Sequence, residues 1–140
     1  PPDQFAKQIE RAVDQGYHLL KMHTAHQYDI YEQTKAAEQV APDRFRIQYD
    51  LNHNRTIGVI LPILKRLEKS WVVGCVEDPL VLTDIDGWRR LREQTEIPIY
   101  MHVPPLGGFQ ELIHGLADGY VICEYSGGFG DAIYRGFAAS

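Results

Sequence analysis

Four short apolar runs in this chain end on side chains able to hold a proton or a cation. LLKMH (19–23) runs into Lys21 and His23, and YDLN (49–52) into Asp50 and Asn52. VEDPL (76–80) breaks on Glu77, and IPIYMHV (97–103) reaches His102. A strand that only fills a core has no need to finish on such groups. Residues two apart share one strand face, so Lys21 aims with His23, and Asp50 with Asn52. Carboxylates on adjacent strands, with no Lys or Arg beside them in sequence, would repel each other in a low-dielectric site. A divalent cation relieves that repulsion, and all-oxygen ligation suits Mg²⁺. The same carboxylates would serve equally well as caps of the following helices or as partners of a surface arginine, and spacing leaves both readings open. The Lys21 ammonium, two residues from His23, disfavours the imidazolium form and leaves a neutral ring able to accept a proton near neutrality.

Other groups carry less. His18, His26 and His114 read as polar loop residues, and His53, after Asn52, could line the same site without a fixed role. The pairs GG (107–108) and GGFG (127–130) lie where strands turn into helices and could approach an anion. Neither has the spacing of a phosphate loop or a dinucleotide fingerprint, so they read as tight turns. No cysteine–histidine spacing for structural zinc and no nucleophile elbow occurs. Cys75 and Cys123 sit inside apolar runs, where cysteine behaves as a small buried hydrophobe.

The elements that must position these groups alternate regularly. FAKQIERAV places Phe5, Ile9 and Val13 at helical spacing and Gly16 ends the helix. YHLLKMH, FRIQYDLN, WVVGCVED, IPIYMHV and GYVICEY read as strands. Between them fall DIYEQTKAAEQV, then RTIGVILPILKRLEK with Asn54 as its expected N-cap, then DIDGWRRLREQT capped by Thr83 or Asp84, then GGFQELIHGLA. The second of these should kink at Pro62. GGFGDAIYRGFAAS starts one more helix. Five strands with a helix between each pair and no hairpin signal predict a parallel α/β sheet. An open doubly wound sheet gathers its ligand at one switch point, served by one or two strands. Four consecutive strands ending in Lys21/His23, Asp50, Glu77 and His102 converge only if the sheet curls into a barrel. The expected fold is therefore alternating βα units forming part of a TIM-like barrel, residues 1–140 being one piece of a larger domain.

Composition agrees with a globular domain. The chain has 140 residues, 44% hydrophobic and 24% charged, with a formal net charge of −5. That balance argues against nucleic acid or an anionic membrane as partner. No apolar run reaches membrane-span length, and PPDQFAKQIERAV lacks a signal-peptide core. Cytoplasmic residence is the expectation, with both thiols reduced.

The order KMH, YDLN, VEDPL, with these intervals, resembles the enolase superfamily, within it the mandelate racemase and muconate lactonising enzyme branch. Lys21-Met22-His23 is similar to the Lys-x-Lys or Lys-x-His motif of the second barrel strand. Asp50-Leu51-Asn52 corresponds to the Asp-x-Asn of the third, and Glu77-Asp78-Pro79 to the Glu-x-Pro of the fourth. The resemblance spans nearly the whole chain, as barrel strands two to six. It implies a (β/α)₇β barrel with a separate capping domain, Mg²⁺ or another divalent ion such as Mn²⁺, and a small-molecule carboxylate substrate. The shared step is removal of the proton α to the carboxylate, giving an enediolate held by the metal. By position, His23 would be the base, Lys21 its electrostatic support, and Asp50 and Glu77 metal ligands.

The chain departs from the family pattern on the fifth and sixth strands. The third ligand position falls on Val103, with His102 adjacent, and neither is a carboxylate. Pro104 and Pro105 could shift the register and bring His102 inward as a ligand. On the sixth strand the partner position falls near Ile122, with Glu124 the closest ionisable group and, with Asn52, a candidate for binding substrate. The expected function is dehydration of a hydroxylated acid such as a sugar acid. A racemase or epimerase, or a non-catalytic barrel with an impaired metal site, is the alternative. For the full-length protein a homo-oligomer is expected.

Overall fold

The computed structural model describes residues 1–102, 115–122 and 127–139. Among the described residues ten elements follow one another: α1 (Pro2–Asp14), β1 (Leu19–His23), α2 (Ile30–Val40), β2 (Arg46–Asp50), α3 (Ile57–Leu67), β3 (Val73–Glu77), α4 (Ile85–Gln94), β4 (Ile99–His102), β5 (Gly119–Val121) and α5 (Phe129–Ala139). The five strands form one sheet in the order β1-β2-β3-β4-β5, every neighbouring pair parallel. Sequential order without a reversal has no switch point, which excludes the doubly wound alternative and is the arrangement of part of a TIM-like barrel.

The core lies between the helices and one face of the sheet. Ile47, Tyr49, Val76, Ile99 and Met101 point to that face and pack with Phe5, Ile9, Ala37, Ile60, Leu64, Trp88 and Leu91 from the helices. Thr34 Oγ1 donates to the Ile30 carbonyl at 2.8 Å, so the Tyr49 hydroxyl, 2.6 Å away, must donate to Thr34. Burial pushes the Tyr49 phenol far above its ordinary range, and it stays protonated.

The other face carries the polar residues. Register aligns His23 with Asp50, Asp50 with Glu77, Glu77 with Tyr100 and Tyr100 with Gly119. One step lower, Lys21 aligns with Gln48 and Gln48 with Cys75. This second alignment depends on an irregularity: Ile47 pairs with Val73 and Gln48 with Cys75, so Gly74 is passed over. A Cβ at Gly74 would stand 3.1 Å from the Arg46 Cβ, tighter than most side chains tolerate.

One local expectation is corrected. The N-cap of α3 is Thr56, with extended backbone and no side-chain cap bond, while the Asn54 amide oxygen accepts from Arg55 instead. Pro62 lies inside the helix. The Asp84 expectation is met, since its carboxylate accepts from the Gly87 N–H at 3.0 Å. Of the helix expected over GGFQELIHGLA, residues 107–114 lie outside the described residues, as do Val103, Cys123 and Glu124. No described helix is long and apolar enough to cross a membrane.

Candidate active site

The carboxyl ends of β1 to β4 bring Lys21, His23, Asp50, Asn52, Glu77 and His102 into one hydrogen-bonded group. Asp50 and Glu77 are almost completely buried, at 1% and 0% exposure. Burying two carboxylates on neighbouring strands needs compensating charge. Lys21 supplies it, with Nζ 3.1 Å from Asp50 Oδ2 and 2.8 Å from Glu77 Oε1. Strand alternation places this lysine one layer below the pair, and its four-carbon stem reaches up between them. Burial alone would lower the Lys21 ammonium, but hydrogen bonds and charge from Glu77 and Asp50 outweigh it, so the group is raised above 10.5.

Asp50 divides its remaining capacity between two groups. Oδ1 accepts the Asn52 N–H at 3.0 Å, and Oδ2 lies 3.2 Å from His23 Nδ1. The Asn52 side chain is 3.0 Å from the same ring nitrogen. The left-handed backbone of Asn52 (φ 50) brings it back over β1, a conformation asparagine tolerates well. His23 itself is open to solvent, its side chain 65% exposed.

Glu77 faces the next strand as well. Its Oε1 is 3.0 Å from His102 Nδ1, and its Oε2 accepts from the Gln48 amide. His102 therefore lies on the site face, as plain alternation from Tyr100 requires. Nδ1 of His102 is also 2.5 Å from Asp78 Oδ2, and its backbone N–H donates to Asp78 Oδ1 at 2.9 Å. Asp78 was not singled out from sequence, because alternation sends it to the face opposite Glu77. Its positive φ of 48 overrides that rule and turns the carboxylate back to the site. His53, with φ 56, places Nε2 3.2 Å from Asp78 Oδ2 and Nδ1 3.0 Å from the Leu80 carbonyl. Gln48 was missed too, although its position two before Asp50 was a usable signal.

Glu77, Asp78 and His102 present donor atoms within 4.8 Å of one another. Two carboxylates and an imidazole, buried or half-buried, fit a divalent cation chemically. Asp50 lies across Lys21 from this group. Cys75, on the Glu77 face, is held as a thiol, since burial and then the Glu77 charge push it up to about 11. Glu124 falls outside the described residues, so only Asn52 of the two substrate-binding candidates is placed.

Comparisons with known proteins accord with this geometry. A sequence profile described as enolase C-terminal domain-like matches residues 4–119. No curated protein sequence matches the chain significantly. Among solved structures, a mandelate racemase/muconate lactonizing family protein from Azoarcus sp. EbN1 superposes with TM-score 0.85 at 23% identity, over 99% of this chain and 38% of its own. The 3,6-anhydro-D-galactonate cycloisomerase from Zobellia galactanivorans gives 0.75 at 21%, over 85% and 35%. A dipeptide epimerase from Cytophaga hutchinsonii, complexed with Mg and the dipeptide D-Ala-L-Val, gives 0.82 at 16%, over 94% and 37%. The chain thus spans well under half the length of each of these structures.

Proposed function

Because the chain belongs to the enolase C-terminal domain-like family, in its mandelate racemase and muconate lactonising branch, we propose that it contributes a half-site for removing the proton α to a carboxylate. The observation that carries this reading is an exposed His23 on the site face, held beside a buried carboxylate pair. Asp50 accepts from His23, which puts the ring proton on Nδ1; the Asn52 amide, whose Nδ2 is placed 3.0 Å from that nitrogen, then has to be flipped to present its oxygen. Nε2 then keeps its lone pair and is the basic atom. Lys21 supplies a fixed positive charge beside the developing negative charge.

A divalent cation would be held at Glu77, the carboxylate shared by two groups, with Asp50 across Lys21 on one side and His102 on the other. When bound, it would stabilise negative charge developing on the substrate carboxylate oxygens. The finer reading is dehydration of a 2,3-dihydroxy acid of the sugar-acid type. The α C–H and β C–O bonds break, water leaves, and the enol tautomerises to a 2-keto acid. An epimerase uses the same first step and returns the proton to the opposite face.

A second reading has its own support. Lys21 already bridges Asp50 and Glu77 and offsets one of their two charges, as it would in a diverged barrel that no longer needs an ion there. Incubating the full-length protein with hydroxycarboxylates and a divalent ion in deuterated water separates the three. A 2-keto product marks the dehydratase, a deuterated diastereomer the epimerase, and unchanged substrate with no deuterium uptake the inactive barrel.

A further inference from the structure

A second concave surface lies apart from the strand-end site, where the loop after β1 and the start of α2 meet α3. It is a cavity of about 330 Å³, and its walls include His26, Tyr28, Asp29, Tyr31, Ile63 and Arg66. That volume is at the small end of ligand pockets. Ile63 and Arg66 stand three residues apart on α3, so they share a helix face, and the arginine stem leans back toward Ile63. The guanidinium carbon of Arg66 lies 3.8 Å from the centre of the Tyr31 ring. Lys35, one turn further along α2, brings its ammonium to 4.5 Å from the same ring. The two cations differ in what they have left to give. Lys35 reaches Glu32 at 3.4 Å. Arg66 has no carboxylate or carbonyl partner among the described residues, so the ring holds its guanidinium while the N–H donors stay unspent.

Asp29 limits the charge an occupant can carry. Its Oδ1 caps α2, accepting from the Tyr31 and Glu32 N–H groups at 2.9 and 3.2 Å, yet a negative charge remains on the cavity wall. A doubly charged phosphate would be repelled by that carboxylate, whereas one carboxylate group matches the fork of Arg66. Tyr28, Tyr31 and Ile63 make the rest of the wall aromatic or aliphatic. We propose that this cavity binds a small monocarboxylate with a flat apolar body, of the size and kind of benzoate. Its carboxylate would take the free donors of Arg66, and its body would lie against Tyr28 and Ile63. None of these residues takes part in the reaction proposed above, so the inference stands without it.

The test is a saturation-transfer NMR titration of benzoate into the full-length protein, the Arg66→Gln variant and a Lys65→Gln control. Both positions are exposed, and the control removes the same charge from the adjacent residue of α3. The expected result is saturable binding that weakens roughly tenfold or more in Arg66→Gln, as loss of hydrogen bonds to a charged group does. Lys65→Gln should bind as the wild-type protein does, and inorganic phosphate should not displace the acid. Absence of binding to the wild-type protein overturns the proposal. So does equal affinity in Arg66→Gln, which would place the acid elsewhere, such as the strand-end site. An equal loss in Lys65→Gln would reduce the effect to the general charge of α3, and displacement by phosphate would overturn the choice of a monocarboxylate.

Discussion

Lys21 shows how one residue sets the electrostatics of the site. Asp50 and Glu77 are buried, and Lys21 is the described ammonium that touches both. Lys21→Met should therefore destabilise the protein at neutral pH by up to about 3 kcal/mol, the lower end for a broken buried pair because the lysine is partly solvated. The pH dependence has a definite sign. Lys21 is raised in the folded protein, so it binds its proton more tightly there than in the unfolded chain. Its contribution is complete below 10.5 and is lost as pH rises through the higher folded value. Urea melts from neutral to alkaline pH should show the wild-type advantage over Lys21→Met shrinking above that point; a constant difference would contradict the bridge. Of this site, Lys21, His23, Asp50, Glu77 and His102 were legible because each closes an apolar run. Asp78 was not. It follows a ligand candidate directly, and only its left-handed backbone, which no spacing reveals, brings both carboxylates to one face.

Among the elements, α4 offers a clean test of how a cap and a glycine work together. Asp84 caps the helix by accepting from the Gly87 N–H at 3.0 Å. A Cβ at Gly87 would lie 2.1 Å from Asp84 Oδ2, so alanine there must displace the capping carboxylate. Losing the cap costs about 1 kcal/mol, and replacing this first-turn glycine by alanine gains at most about 1 kcal/mol, the helix-interior value. Gly87→Ala should accordingly be near neutral or destabilising in the wild-type protein, yet stabilising in an Asp84→Ala background. Denaturant melts of the four proteins measure that coupling, and strict additivity would reject it. Helices and strands were largely readable from periodicity and caps. Asn54 misled because its amide is engaged by Arg55, leaving Thr56 to start α3 with backbone alone. The passed-over Gly74 was equally hidden, though it sets Cys75 and Glu77 beside Gln48 and Asp50.

At the largest scale, the described strands taken by themselves form an open sheet, and that governs the behaviour of this segment. β1 and β5 are its edges, and Leu19, on the polar face of β1, is 54% exposed. Phe129, Ile133 and Tyr134 of α5 are exposed as well. Unpaired edges and exposed apolar side chains favour association. A polypeptide of these 140 residues alone should sediment with a mass that grows with concentration; a monomer melting cooperatively would contradict this view of the sheet. The reaction is the larger claim, and it converges on one atom, the Nε2 of His23. The direct measurement is deuterium incorporation at the α-carbon of a hydroxycarboxylate, in D₂O with a divalent ion, for the full-length protein and its His23→Asn variant. Incorporation by the wild-type protein, abolished in His23→Asn while calorimetric metal affinity is unchanged, is the predicted result. Undiminished exchange in the variant would contradict the account and move the base to another strand.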